Sequence, residues 1–344
     1  MNPSLREIAD RVELSYQTVA NVLSVNSKTR VRYSTRTQQK IQAVAKQMGY
    51  RPHLGARSIS TGRFGSLSLL MSTHSKRRSL PQDMLDGMLR ASADLGLHLS
   101  VETVDRVLTD PKFVPRMLRE WCSDGLLVDF VGVPSEMEQL ISDSQVPTVW
   151  INRKRHHDTV RPDDFQAGQL AAETLLALGH RRIAYVQLLH SALKLPQLHY
   201  SVTDRIEGFQ TSVQAAGLKS EVISFDQALP QAEIESWATA FLSDPDRPTA
   251  VVAADVLERE TLLLGCARLN LRVPEDLSIL AFASGKLSGC EVGWQSFTNV
   301  AVDWHKVGDQ SVRMLVRVIE NHHVDPILIP FELTEGQTTA PLPA

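Results

Sequence analysis

Apolar residues recur at helical spacing over the first fifty positions, and beyond residue 64 they alternate between strand-like runs and helical faces. Leu5, Ile8, Ala9 and Val12 share one face of a helix that Ser4 can cap. After the turn Glu13-Leu14, Ser15 caps a second helix that buries Val19 and Leu23 and leaves Tyr16, Gln17, Thr18 and Asn21 outward, near its N-terminal end. A third helix from about Thr35 to Met48 closes the bundle with Ile41, Val44, Ala45 and Met48, and Gly49 stops it. This is the pattern of a helix-turn-helix headpiece, residues 1–49, whose second helix carries its polar side chains where they can reach base edges in a major groove.

From Ser66 onward short apolar runs alternate with amphipathic segments. The first set predicts strands Ser66–Met71, Leu97–Thr103, Gly125–Val131 and Thr148–Ile151, with helices over Leu80–Leu95 and near Pro115–Cys122 and Glu136–Ser142. A second set begins at about Pro162. Its strands are Ile183–Gln187, Ser220–Phe225, Ala250–Ala253 and Ser278–Phe282, and its helices Phe165–Leu178, Asp204–Ala216, Glu233–Leu242 and Glu258–Leu269. Such alternation predicts an α/β core of two doubly wound parallel sheets, a structural repeat without obvious sequence identity. Ligands in such sheets bind beyond the carboxyl ends of the strands, so two facing lobes make a cleft for a small molecule.

Charge sharpens this division. Residues 1–63 hold eleven Lys and Arg against three Asp and Glu, a net of +8; the whole chain is −3, so the remaining 281 residues carry −11. A polyanion is drawn to the N-terminal end. With 43% hydrophobic and 22% charged residues the chain has the composition of a globular protein of two or three domains. It has no run of eighteen apolar residues and no export signal at its start, which points to the cytoplasm and away from a membrane. Cys122, Cys266 and Cys290 lie far apart without metal-ligand spacing and read as reduced hydrophobes.

The segment Gly49-Tyr50-Arg51-Pro52, running on to Ala56-Arg57-Ser58, resembles the junction and hinge of the lactose-repressor and galactose-repressor family of bacterial transcription regulators. Gly179-His180-Arg181-Arg182-Ile183-Ala184-Tyr185-Val186, Arg205-Ile206-Glu207-Gly208-Phe209 and Leu271-Arg272-Val273-Pro274-Glu275-Asp276-Leu277-Ser278 are similar, in order, to three further signatures of that family. The resemblance implies a headpiece, a minor-groove hinge helix over 50–63, and a periplasmic-binding-protein-like core over 64–344. It places the first lobe at about 64–160 and 293–321 and the second at about 161–292 and 322–344. It implies a homodimeric repressor on a palindromic, double-stranded operator, controlled by a small-molecule effector and needing no cofactor.

By the same resemblance Ser15, Tyr16, Gln17, Thr18 and Asn21 form the reading helix, with Tyr16 and Gln17 leading and Asn21 where many relatives carry Arg. The segment Ser24–Arg32 is longer than usual in the family, and Lys28, Arg30 and Arg32 are expected on phosphates. Arg57 belongs to the hinge, and Ile59 is its apolar wedge in the minor groove. Gly55 and the β-branched Ile59 weaken that short helix, which is expected to form only on DNA. In the cleft, Arg205 matches the effector-binding arginine and Asp255 an acid of the family, while Ala283 stands where an acid usually holds sugar hydroxyls. His74, with Lys76, Arg77, Arg78, His190, Lys194 and His199, can join Arg205 in making the cleft electropositive or can equally be a solvated set of charges that never meets ligand, which leaves a sugar, a sugar phosphate and an organic acid open as effectors. Asp163 and Asp164 read as helix caps rather than ligands.

Catalysis is not expected. There is no Gly-rich phosphate loop and no nucleophile elbow. The histidine pairs His156-His157 and His322-His323 suggest a metal, but neighbours on one element point apart and no carboxylate sits at ligand spacing, so no metal site is expected.

Overall fold

A computed structural model describes the chain except residues 1–2, 24–32, 52–57, 59–61, 72–79, 105–109, 111–112, 121, 130–134, 189–198, 226–228, 284–295 and 343–344. The backbone divides into two units, Met1–Phe64 and Gly65–Ala344.

In the first unit, α1 (Leu5–Val12) starts with a capping box. The Ser4 hydroxyl accepts from the Glu7 N–H, and the Glu7 carboxylate accepts from the Ser4 N–H at 2.6 Å. Glu13, left-handed at φ 55°, ends that helix, and Ser15 Oγ accepts from the Thr18 N–H at 3.1 Å to start α2 (Tyr16–Leu23). Ser34 caps α3 (Thr35–Gln47) in the same manner. Ile8, Ala9, Val12, Val19, Ile41 and Ala45 are buried between the three helices, which is the core that the spacing predicts; Val44, Met48 and Leu23 pack against it half-buried.

The second unit holds two six-stranded sheets. The first contains β1 (Ser66–Met71), β2 (His98–Thr103), β3 (Gly125–Asp129), β4 (Thr148–Ile151) and β5 (Thr159–Pro162), with α4 (Gln82–Asp94), α5 (Arg116–Arg119) and α6 (Ser135–Asp143) between strands. The second contains β6 (Ile183–Gln187), β7 (Glu221–Ser224), β8 (Ala250–Ala253), β9 (Ser278–Ala283) and β10 (Asn299–Val302), with helices α7 (Asp164–Ala177), α8 (Tyr200–Ala215), α9 (Gln231–Ser243) and α10 (Val256–Leu269). The chain then passes through α11 (Trp304–Ile319), β11 (Ile327–Ile329) and β12 (Phe331–Thr334). The strand orders are β11-β5-β4-β3-β1-β2 and β12-β10-β9-β8-β6-β7, the same winding twice. Every pairing is parallel except β10 with β12.

Three expectations need correction. The strand β5 lies outside the expected set: Thr-Val-Arg-Pro carries a charge and a proline and gives no apolar run, yet β4 and β11 bond it on both sides. The expected return of the chain to the first lobe at 293–321 is displaced. Asn299–Val302 pairs with β9 and β12 in the second sheet, whereas Ile327–Ile329 pairs with β5 in the first, so the crossings fall at about residues 303 and 330. Helix α8 begins at Tyr200 rather than Asp204, because the His199 ring accepts from the Ser201 N–H and caps it.

Each half is also braced by one close helix pair. In the first, α4 lies on α11, with Gly87 against the His305 backbone and Gly308 against that of Met84. In the second, α7 lies on α8, with Gly168 against the Arg205 backbone and Gly208 against that of Phe165. No described helix is long and apolar enough to cross a membrane.

Candidate functional site

The polar end of α2 is built as the sequence suggests, with one restriction. Tyr16 is half exposed and Gln17 is exposed, while Val19 beneath them is fully buried and anchors the helix. Ser15 and Thr18 bond each other through their hydroxyls at 2.8 Å, so both serve the helix start. Asn21 is held at both ends of its amide: Oδ1 accepts from Gln17 Nε2 at 3.1 Å, and Nδ2 donates to the Tyr33 hydroxyl at 2.9 Å. Tyr16 and Gln17 are therefore the freest of the expected readers, and Asn21 steadies Gln17. Lys28, Arg30, Arg32, Arg57 and Ile59 lie outside the described residues.

In the core unit, the carboxyl ends of the strands gather charged and aromatic groups. Arg205, on the first turns of α8, donates from Nε to Asp164 Oδ1 at 2.7 Å. Its guanidinium lies over the rings of Phe282 and Phe331, 4.6 and 5.2 Å from their centroids. Burial works against this charge, but Asp164, Tyr185 and Asp255 together outweigh it and keep the guanidinium pKa above its ordinary value. Asp163 does cap α7, accepting from the Gln166 N–H at 3.2 Å; Asp164 does not, and is instead the buried counter-ion of Arg205.

Asp255 caps α10 by accepting from the Val256 N–H, and it lies within electrostatic reach of Arg205. Ala283 ends β9 with only a methyl group to offer. His74, Lys76, Arg77, Arg78, His190 and Lys194 lie outside the described residues. His199 is no free cation: it caps α8, and its Nε2 bonds the Asn152 carbonyl at 3.0 Å.

Sequence reasoning missed several neighbours of Arg205. Arg161, next to the end of β5, stacks on Tyr200 at 5.3 Å, and no carboxylate among the described residues pairs with it. The Tyr200 hydroxyl donates to Asn152 Oδ1 at 2.9 Å, and Lys154 places Nζ 3.0 Å from both oxygens of Asp204. These contacts join the β4–β5 connection of the first half to the start of α8 in the second. Among the buried polar atoms with no hydrogen-bond partner in the described residues are Arg161 Nε, Asp164 Oδ2, Tyr185 Oη and Trp304 Nε1. Asp129, the last residue of β3, is pushed up to about 7 by desolvation. The signal that could have found them is position: all but Tyr185 stand at or within three residues of a strand's carboxyl end or in the first two turns of the helix after it.

The family of periplasmic binding protein-like domains matches residues 172–339. The chain is 25% identical over 355 residues to the HTH-type transcriptional regulator DegA of Bacillus subtilis, covering 99% of each, and 21% identical over 344 residues to the regulator MalR of Staphylococcus xylosus, covering 98% of each. In structure it is similar to the lac repressor dimer bound to operator and the anti-inducer ONPF, with a TM-score of 0.71 at 19% identity over 99% of this chain and 100% of that one. The periplasmic binding protein-like domain, and the likeness over nearly the whole chain to HTH-type transcriptional regulators, agree with the family that the sequence motifs resemble. Its relatives over nearly the full length are named as HTH-type transcriptional regulators and repressors. In this chain the Gly179-His180 signature serves the fold. Gly179 ends α7 at φ 90°, and buried His180 bonds Thr249 Oγ1 at 2.9 Å and the Ala340 carbonyl at 3.1 Å.

Proposed function

We propose that this protein is a repressor that binds a palindromic operator as a homodimer and is controlled by a small molecule held beside Arg205. The observation that carries the reading is the joining, in one chain, of a capped reading helix exposing Tyr16 and Gln17 to a two-sheet core with a buried Arg205–Asp164 pair at its strand ends. On DNA, Gln17 meets an adenine edge once its amide turns from Asn21, and Tyr16 meets a thymine methyl or a phosphate. Lys28, Arg30 and Arg32 add phosphate contacts, Arg57 supports the hinge, and Ile59 opens the central base step. Two headpieces on two half-sites require two copies. The effector works only through unequal affinity for the two arrangements of the core.

Two arginines with a single committed carboxylate, and Ala283 in place of an acid, favour an effector with an anionic group, a sugar phosphate or an organic acid, over a neutral sugar. A bound polar molecule also offsets the desolvation of Arg161 Nε, Asp164 Oδ2, Tyr185 Oη and Trp304 Nε1. The test is selection of genomic fragments by the purified full-length chain, followed by calorimetry with neutral sugars, sugar phosphates and organic acids. Enrichment of an inverted repeat, with its affinity changed by an anionic compound that Arg161→Ala no longer binds, is the expected result. Retention of random DNA alone overturns the regulator reading, and tight binding of an uncharged sugar overturns the anionic one.

A further inference from the structure

The two histidine pairs that point apart along the sequence each send one ring to a common place. His157 and Asp158 end the β4–β5 connection, and His323 lies between α11 and β11. Because β5 and β11 run parallel and adjacent, with Val160 opposite Ile327, their leading segments meet at the amino ends of the two strands. There both imidazoles address one oxygen. His157 Nδ1 is 2.7 Å and His323 Nδ1 3.1 Å from Asp158 Oδ2, and the rings stand 4.8 Å apart at 61° rather than stacked.

Asp158 is fixed from beneath. Its Oδ1 accepts from the Val324 N–H at 3.0 Å, its own N–H donates to the Val324 carbonyl at 2.9 Å, and its backbone is left-handed at φ 53°. The carboxylate is buried while both rings are exposed, so the donors sit on a rigid base with one side open.

We propose that His157, Asp158 and His323 form a binding site for a borderline divalent cation of the zinc, cobalt or nickel type. Two imidazoles and a carboxylate are the donor set such ions take, and the hard alkaline-earth ions prefer oxygen alone. Bonds of about 2.0–2.2 Å to each donor set tetrahedral donors roughly 3.3 Å apart. The three donor atoms already lie within 4.8 Å of one another, so rotation of two exposed side chains closes the site. The ion replaces two hydrogen bonds on a shared oxygen, and solvent fills the remaining position. It also secures the root of the connection whose other end, Asn152 and Lys154, holds α8.

Zinc titration by calorimetry tests this on the chelator-treated full-length chain carrying Cys122→Ser, which removes an exposed thiol. One ion per chain is expected, with affinity at least about tenfold weaker in His157→Ala and in His323→Ala and unchanged in His156→Ala and His322→Ala. A second readout uses no histidine variant: zinc is expected to protect His157 and His323 from diethyl pyrocarbonate, mapped by mass spectrometry, while His156 and His322 stay reactive. Absence of saturable binding, binding that survives in the His157→Ala/His323→Ala double variant, or equal labelling of all four histidines with and without zinc overturns the site.

Discussion

Arg205 shows how one residue carries both structure and recognition. Its partner Asp164 is buried, with 1% of its side chain exposed against 23% for the arginine, so removing the acid strands a charge that water reaches poorly. Asp164→Ala is therefore expected to destabilise the core by about 3 kcal/mol, at the lower end for broken buried pairs because the arginine keeps some solvent. Urea unfolding of wild type and variant measures it, and a change below about 0.5 kcal/mol would return Asp164 to the role of a plain surface acid. Asp129 adds a pH dependence. Its folded value, about 7, lies above the ordinary 3.8, so between these limits the folded chain holds a proton that the unfolded chain releases. The contribution of this residue to stability is present in acid and falls as pH rises toward 7. Asp129→Asn, alike in shape but unable to ionise, is expected to gain on the wild type by on the order of 2 kcal/mol between pH 5 and pH 8, a figure moderated because the residue as a whole is only half-buried. Parallel pH profiles would refute this. Of these residues only Arg205 was legible in the sequence, through its motif. Asp164 looked like a cap because it opens a helix, and Arg161 lay in a stretch where no element was expected; what distinguishes them is a partner 41 residues away and a ring 39 residues away.

Elements were legible where a local pattern fixes them. The strands Ser66–Met71, Thr148–Ile151, Ile183–Gln187 and Ala250–Ala253 fall where the apolar runs place them, because each is buried on both faces. The pairing of helices was not legible, since a glycine within a helix reads locally only as a weak point of about 1 kcal/mol against alanine. In the fold, that glycine is where two backbones touch. A methyl on Gly208 would stand 2.0 Å from the Phe165 carbonyl oxygen, and one on Gly168 2.0 Å from that of Arg205. Gly208→Ala is accordingly expected to lower stability despite its better helix propensity, by about 2 kcal/mol or more once the helices are forced apart. Gly265→Ala is the comparison: its methyl meets the Leu242 side-chain end at 2.8 Å, which can swing aside, so it costs less. Thermal unfolding of the two variants ranks them, and an equal or reversed order sinks the argument. Gly168→Ala tests the link to recognition, because the backbone it displaces carries Arg205.

At the scale of the whole molecule the repeat is closed by exchange, for the segment that completes the first sheet follows the second, and the segment that completes the second comes last. The alternation of elements reveals two sheets, but the points where the chain crosses between them depend on pairings such as Val160 with Ile327 and Val302 with Phe331, which no local pattern contains. The last residues consequently do more than their position in the chain suggests. Within them β12 pairs with β10, Phe331 lies against Phe282 and Arg205, the buried Thr338 donates to the Ile279 carbonyl at 2.7 Å, and Ala340 receives the His180 bond. Burial holds the His180 pKa down, so the ring is neutral, donating from Nε2 to Ala340 and accepting from Thr249 at Nδ1. Ending the chain after Pro330 removes all of these at once, and it leaves buried donors and an apolar edge on β9 and β10. Against a total stability of roughly 5–15 kcal/mol that loss is too large for the second half to survive. A chain ending at Pro330 is expected to lose cooperative thermal unfolding and to be cut by protease between residues 163 and 330. A chain ending at Pro341, which keeps Thr338 and Ala340, should unfold within a few degrees of the full-length protein. A cooperative, wild-type-like transition in the shorter chain would mean that the second sheet closes without its last strand.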